Sequence, residues 1–200
     1  MLLFDSITRF ARAQREIGLT LGEPPATRGF TPSVFSILPK LLERCGNSEK
    51  GTITGFYNIL VEGDDMDEPV SDTVRGILDG HIVLSRKLAQ AYHYPAIDVL
   101  NSLSRLGNKV TSKDEQRAAG RIRQLIAAYT EAEDLINVGA YAEGSSSEVD
   151  EAIGKIGDIW DFLSQEIEED ADIRETIRRE AELSGIEIKI PEDIDARIPV

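Results

Sequence analysis

The chain has 200 residues and a mass of 22.1 kDa, enough for one ordinary domain or two small ones. Apolar residues at 41% and charged residues at 29% exclude the collagen-like, low-complexity and wholly disordered classes. A formal net charge of −14 argues against a bare nucleic-acid binder and a polybasic membrane anchor, both of which need a basic patch.

In chain order, Leu2-Leu3-Phe4 is an apolar run ended by Asp5. It predicts a buried parallel strand with a carboxylate at its C-terminal end. Two readings stand. One is a plain strand followed by a capping Asp or Ser. The other is a Walker B strand, whose carboxylate lies near the Mg²⁺ of a bound nucleotide. A Walker B strand is normally preceded by a P-loop, G-x-x-x-x-G-K-[ST]. None occurs here, and the glycine pair at 139 and 144 is followed by serines without the lysine. The nucleotide reading therefore carries the expectation that the first half of the fold is missing from this chain.

Ile7, Phe10, Gln14, Ile17 and Leu21 recur every three or four residues and predict an amphipathic helix over 6–21. Gly22-Glu23-Pro24-Pro25 opens a loop. A second helix is predicted over 33–44, kinked or cut short by Pro39 and closed by Gly46-Asn47. Residues 52–61 are rich in β-branched and aromatic side chains and predict one buried strand. An acidic loop follows, with Glu62, Asp64, Asp65, Asp67 and Glu68. Ser71 is expected to cap a short helix that Gly80 ends. Residues 81–84 predict another strand, and Pro95 holds Tyr94 in extended conformation. Strands separated by helical patterns predict a parallel α/β sheet.

Beyond Arg105 the pattern becomes helical. Ser112 with Glu115 forms a capping box that opens a helix through about Ile136. Ser147 with Asp150 predicts a second box, ahead of an apolar stripe that includes Val149, Ile156, Trp160 and Leu163. Ile173, Ile177 and Ala181 predict a third helix that Gly185 stops. Residues 186–190 alternate with period two, like a lone edge strand that ends at Pro191. The organisation read from these patterns is a partial α/β domain over 1–109, a helical domain over 110–167 and an acidic helical or extended tail over 168–200. Charge follows this division: residues 143–200 hold 18 acids and 6 bases, so the preceding body is nearly neutral.

Three segments carry a specific resemblance. The first runs from Asp5 through Gly18 and includes Gly22-Glu23-Pro24-Pro25. The second is Val61-Glu62-Gly63-Asp64-Asp65-Met66-Asp67-Glu68-Pro69 with Ile77 through Arg86. The third is Tyr94-Pro95-Ala96-Ile97-Asp98 through Arg105, which contains the signature segment of the ATP synthase α/β-subunit family. Together they resemble the ATPases of flagellar and type III protein export, and residues 134–141 lean towards the flagellar branch. The resemblance runs from Leu2 to about Leu163. It implies α/β architecture: the C-terminal half of a RecA-like P-loop nucleotide-binding domain followed by an all-helical C-terminal domain. It also implies a homohexameric ring that hydrolyses ATP with Mg²⁺, a chain that opens at the Walker B strand, and a cytoplasmic place at the inner face of a membrane export apparatus. The implied partners are other copies of the subunit, stalk and regulator proteins of the apparatus, export substrates and their chaperones, with no nucleic acid. The single cysteine, Cys45, fits a reducing compartment.

By the same resemblance, Asp5 matches the Walker B aspartate that holds Mg²⁺ through water. Arg105 matches the arginine finger, whose planar fork grips a neighbour's γ-phosphate. In this chain Leu106-Gly107 follows it, where the family usually continues Val-Met. Tyr94 matches the aromatic that stacks on adenine. Arg9, one helical turn after Asp5, either neutralises charge near the phosphates or pairs with an acid. Asp64, Asp65 and Asp67 match a loop that touches the central stalk in rotary relatives; read by themselves they are a solvated loop. His81 and His93 read as structural. Two other readings stay open: a truncated, non-catalytic remnant that acts through partners, and an ATP synthase catalytic-subunit relative. Without a P-loop lysine, the chain alone is expected to show no turnover.

Overall fold

A computed structural model describes residues 1–190 and Ile194. It divides into two compact units, Met1–Asp79 and Gly80–Val200.

The first unit begins with β1 (Leu2–Asp5) and α1 (Ile7–Thr20), followed by a short 3₁₀ turn at Thr27–Gly29 and α2 (Pro32–Leu42). Next come β2 (Gly46–Ser48), β3 (Gly51–Ile53), β4 (Gly55–Asn58) and α3 (Pro69–Ile77). The apolar spacing read for α2 makes its core, but of the stripe read for α1 only Ile7 is buried; Ile17 and Leu21 are exposed, and Thr8, Ala11 and Gly18 turn inward instead. Ile7 and Ala11 of α1 meet Val34, Leu38 and Leu42 of α2 and Val70 and Val74 of α3, all nearly sealed from solvent. Ser6 caps α1 by accepting from the Arg9 N–H at 3.3 Å. Thr8 ties α1 to the segment after β4: its Oγ1 accepts from Leu60 N at 2.9 Å and donates to Leu60 O at 3.1 Å. At Gly18, α1 lies close against the start of α2: a Cβ there would lie 2.4 Å from Oγ1 of Thr31, the residue before Pro32.

Several local expectations change. The run 52–61 is not one buried strand. Its first part joins β3, which pairs antiparallel with β2 as an exposed hairpin, and its second part is β4, which pairs parallel with β1. Gly46-Asn47 thus belongs to β2 and does not close α2. The helix α2 runs through Pro39 to Leu42. The cap of α3 is at Glu68, with Pro69 in the first helical position, and Ser71 lies buried inside the helix. Proline suits that position because its missing N–H would have no helical partner there.

The second unit holds β5 (Gly80–Leu84), α4 (Arg86–Gln90), β6 (Ile97–Ser104), α5 (Gly107–Val110), α6 (Lys113–Asn137), α7 (Ser147–Leu163) and α8 (Ile173–Ser184). Strands β5 and β6 pair antiparallel, so the expected parallel arrangement holds for β1 and β4 and not for this pair. Helix α6 starts with the predicted capping box at Ser112 and Glu115. The cap of α7 is Ser146, one residue before the predicted Ser147. Gly185 ends α8 in left-handed conformation, φ 69°. Residues 186–190 form no strand, and Pro191 lies outside the described residues.

Ile122, Leu125 and Ile126 of α6 pack with Ala152 and Ile159 of α7, and Val99 and Leu100 of β6 join them. Arg123 Nη2 donates to Leu100 O at 2.9 Å, fastening β6 to α6. Arg121 and Lys155 converge on Glu151 across α6 and α7.

Candidate functional site

The alternation of β1 leaves Asp5 at its C-terminal end with an exposed carboxylate. The parallel register sets Asp5 opposite Asn58, the last residue of β4. Asn58 Nδ2 donates to Asp5 Oδ1 at 2.8 Å, which fixes the carboxylate while leaving it open to solvent. Arg9 lies one turn into α1, exposed, with its backbone N–H engaged by the Ser6 cap. Sequence reasoning misses Asn58. Its only signal is its place in an apolar, β-rich run, the same kind of signal that marks Asp5.

The acidic loop is held by basic side chains from the helices around it. Arg12 of α1 pairs with Glu62. Arg28 donates to Asp65 Oδ2 at 2.7 Å, and Asp65 Oδ1 accepts from the Asp67 N–H at 3.0 Å. The Arg28 bond holds the Asp65 carboxyl below its ordinary range, and the Asp67 N–H adds to this. Arg75 of α3 donates to Met66 O at 2.8 Å and lies 3.8 Å from Asp67, whose side chain is 95% exposed. Asp64 takes the left-handed backbone, φ 61°. The loop is therefore an ordered structure with part of its charge compensated, and Asp67 is its most outward carboxylate among these pairs.

In the second unit, Tyr94 sits between α4 and β6 and is 50% exposed. Its ring meets that of Tyr92 edge-on, with centroids 5.7 Å apart. Arg105 is exposed on the bend between β6 and α5. So the structure joins Asp5 to Asn58 and gathers Asp64, Asp65 and Asp67 on one loop, and it carries Tyr94 and Arg105 in the other unit.

Among the described residues, no group of three or more His, Cys, Asp or Glu forms a self-sufficient metal site. A single anchored carboxylate still fits Mg²⁺, which typically takes one or two carboxylates and completes its shell with water and phosphate oxygens. No helix among those residues is long and apolar enough to cross a membrane.

Two family models match in series. The nucleotide-binding domain of the ATP synthase alpha/beta family covers residues 1–104, and the T3SS EscN ATPase C-terminal domain covers 111–179. The flagellum-specific ATP synthase of Treponema pallidum is 55% identical over 191 residues, covering 96% of this chain and 43% of the relative. The assembled ATPase EscN of the enteropathogenic E. coli type III secretion system superposes with a TM-score of 0.88 at 45% identity, covering 92% of this chain and 44% of EscN. EscN in complex with its central stalk EscO gives a TM-score of 0.81 at 44% identity, with the same coverage. The chain thus spans less than half the length of each of these three.

Proposed function

The chain belongs to the ATP synthase alpha/beta family, as the C-terminal half of a RecA-like nucleotide-binding domain followed by a helical C-terminal domain, and from that premise we propose that it is part of a hexameric ATPase that powers flagellar or type III protein export. The observation that carries this reading is the serial match: a nucleotide-binding domain model continues directly into a C-terminal domain model specific to export ATPases.

Asp5 is the residue that would hold Mg²⁺ through water, with Asn58 setting the direction of its carboxylate. Bound there with a nucleotide, Mg²⁺ would neutralise phosphate charge. Arg9 adds positive charge one turn further on. Tyr94 stacks on the adenine ring, a contact that needs only a flat, partly exposed aromatic face. Arg105 is the finger: its guanidinium is always charged and pairs with phosphate oxygens in a planar fork. In the assembled ring it serves the nucleotide of the neighbouring subunit, where such a group is worth about 10³–10⁵ in turnover. The loop at Asp64, Asp65 and Asp67 fits a stalk-like partner with a basic face, by charge complementarity. The solved complex of EscN with a central stalk supports that choice. Export substrates and chaperones, and peripheral attachment to the inner face of the export apparatus in the cytoplasm, belong to the same reading.

The test is turnover. In a subunit of full family length that carries this sequence, Arg105→Ala should abolish ATP hydrolysis and leave nucleotide binding intact. Unchanged hydrolysis would reject the finger assignment. The 200-residue chain alone should not turn over ATP, because it has no P-loop lysine to cradle the phosphates. Robust turnover from it would overturn the need for that lysine.

A further inference from the structure

His93 is placed to do more than fill space. Its Nδ1 is hydrogen-bonded to Ser164 Oγ at 2.9 Å, and its ring meets Trp160 edge-on with centroids 5.5 Å apart. The next residue is fastened too, since Gln165 N donates to Tyr94 O at 2.9 Å. From behind, the His93 N–H donates to Leu88 O in the middle of α4, at 3.0 Å. Two neighbouring residues of the aromatic turn are thus held by the last turn of α7 and the residues just past it. Trp160 in turn packs on the core formed by α6 and α7.

We propose that His93, with Ser164 and Gln165, is a positioning latch for Tyr94, so that nucleobase binding at Tyr94 and the state of the α7 terminus form one equilibrium. This rests on the reading that Tyr94 stacks on adenine. The latch belongs to this chain's own fold and requires no residue from a neighbouring subunit. It sits where α7 gives way to a segment carrying Glu166, Glu168, Glu169, Asp170 and Asp172, with Ile167 almost fully exposed. A ligand for either side is therefore felt on the other: thermodynamic coupling is reciprocal. Adenine that stacks on Tyr94 favours the latched turn, and a load that pulls the α7 terminus away weakens adenine binding.

Trp160 is the sole tryptophan of the chain, so its indole N–H gives one NMR signal that reports the latch. The experiment titrates ATP, and separately inorganic tripolyphosphate, into the 200-residue chain in the millimolar range. It follows that signal and the tyrosine ring signals, and measures hydrogen exchange over 92–98. In the unmodified chain, ATP should shift the tyrosine and Trp160 signals together, and tripolyphosphate should not. Ser164→Ala should speed exchange over 92–98 and weaken ATP binding about fivefold, while Ser164→Thr, which keeps the hydroxyl, restores both. Unchanged exchange in Ser164→Ala overturns the latch. Faster exchange with unchanged ATP affinity overturns its positioning role, because a merely structural contact would behave that way. ATP binding that is the same in Tyr94→Ala as in the unmodified chain, or absent from both, overturns the reading of Tyr94 itself. In that case the exchange data still decide whether the latch exists.

Discussion

Asn58 Nδ2 donates to Asp5 Oδ1 across the last rung of the parallel β1–β4 pair, so the carboxylate at this strand end is oriented by a neutral amide and not by a cation. The amide fixes direction without lowering the charge that a divalent ion would meet. Asn58→Ala removes one exposed hydrogen bond, and its expected cost is about 0.5 kcal/mol of stability by urea unfolding. Asp5→Asn keeps a hydrogen-bonding pair on the rung, so stability should be nearly unchanged. Mg²⁺-dependent nucleotide binding in the assembled protein should be lost. If Asp5→Asn left that binding intact, Asp5 would have no metal role.

Gly18 gives a prediction whose sign opposes helix propensity. An exposed mid-helix glycine replaced by alanine gains roughly 0.5–1 kcal/mol. At this position the added Cβ would lie 2.4 Å from Thr31 Oγ1 and 3.1 Å from Ser33 Oγ, and Thr31 is fully buried. Gly18→Ala should therefore destabilise by about 1–3 kcal/mol, the usual cost of overpacking. Adding Thr31→Ala should recover part of it, which a double-mutant cycle by thermal or urea unfolding measures directly.

Such contacts mark where sequence reading stops. Signals contained in one short segment are legible: the Ser112 and Glu115 capping box, the Gly185 stop, and the face of α2 that builds the core; the stripe read for α1 is not, because Ala11 and Thr8 bury where Ile17 and Leu21 stay exposed. The cap of α7 falls one residue from its expected place because Ser146 and Ser147 both satisfy the pattern, and only backbone geometry chooses. The run 52–61 announces β-structure without announcing a partner. Its first half turns back on Gly46–Ser48 and its second half joins β1, a division that Gly51 and Gly55 hint at. The alternation at 186–190 has no strand beside it, and period two alone does not make a ladder. The candidate site is legible as residue types at family positions. The Asn58 partner of Asp5 and the clamp from Arg28 and Arg75 on the acidic loop are not, because they depend on how the chain folds back on itself.

Glu180 on α8 adds a pH-dependent term to the stability of the helical unit. Burial, and then repulsion from Glu115 on α6, pushes its carboxyl up to about 7 from an ordinary 4.5. A carboxyl with a raised folded-state pKa contributes stability that is fully present below 4.5. That contribution is lost as pH climbs through about 7, because the unfolded chain ionises first. Glu180 is only half-buried, so solvent screening reduces the effect to about 1 kcal/mol. Glu180→Gln should match the unmodified protein at pH 4 and exceed its urea midpoint at pH 8. Equal midpoints at pH 8 would contradict the burial argument.

Arg28 should control the titration of the acidic loop. The Arg28 hydrogen bond is the main cause that holds the Asp65 carboxyl low. Arg28→Ala should move the Asp65 titration up towards the ordinary carboxylate range, as read by carboxyl NMR. The associated stability is present above the ordinary pKa and lost as pH falls through the folded-state value. Hydrogen exchange at 62–68 should quicken in the same variant. A stalk-like partner that binds through charge should then associate with a different salt dependence.

Ile194 lies nine residues beyond the Gly185 cap and is 1% exposed. The acids of α8 are displayed from a helix packed against α6 and α7, so their field has a fixed direction relative to the helical unit. A basic surface that approached it would meet a static potential, whose pull on the encounter rate fades as salt is added.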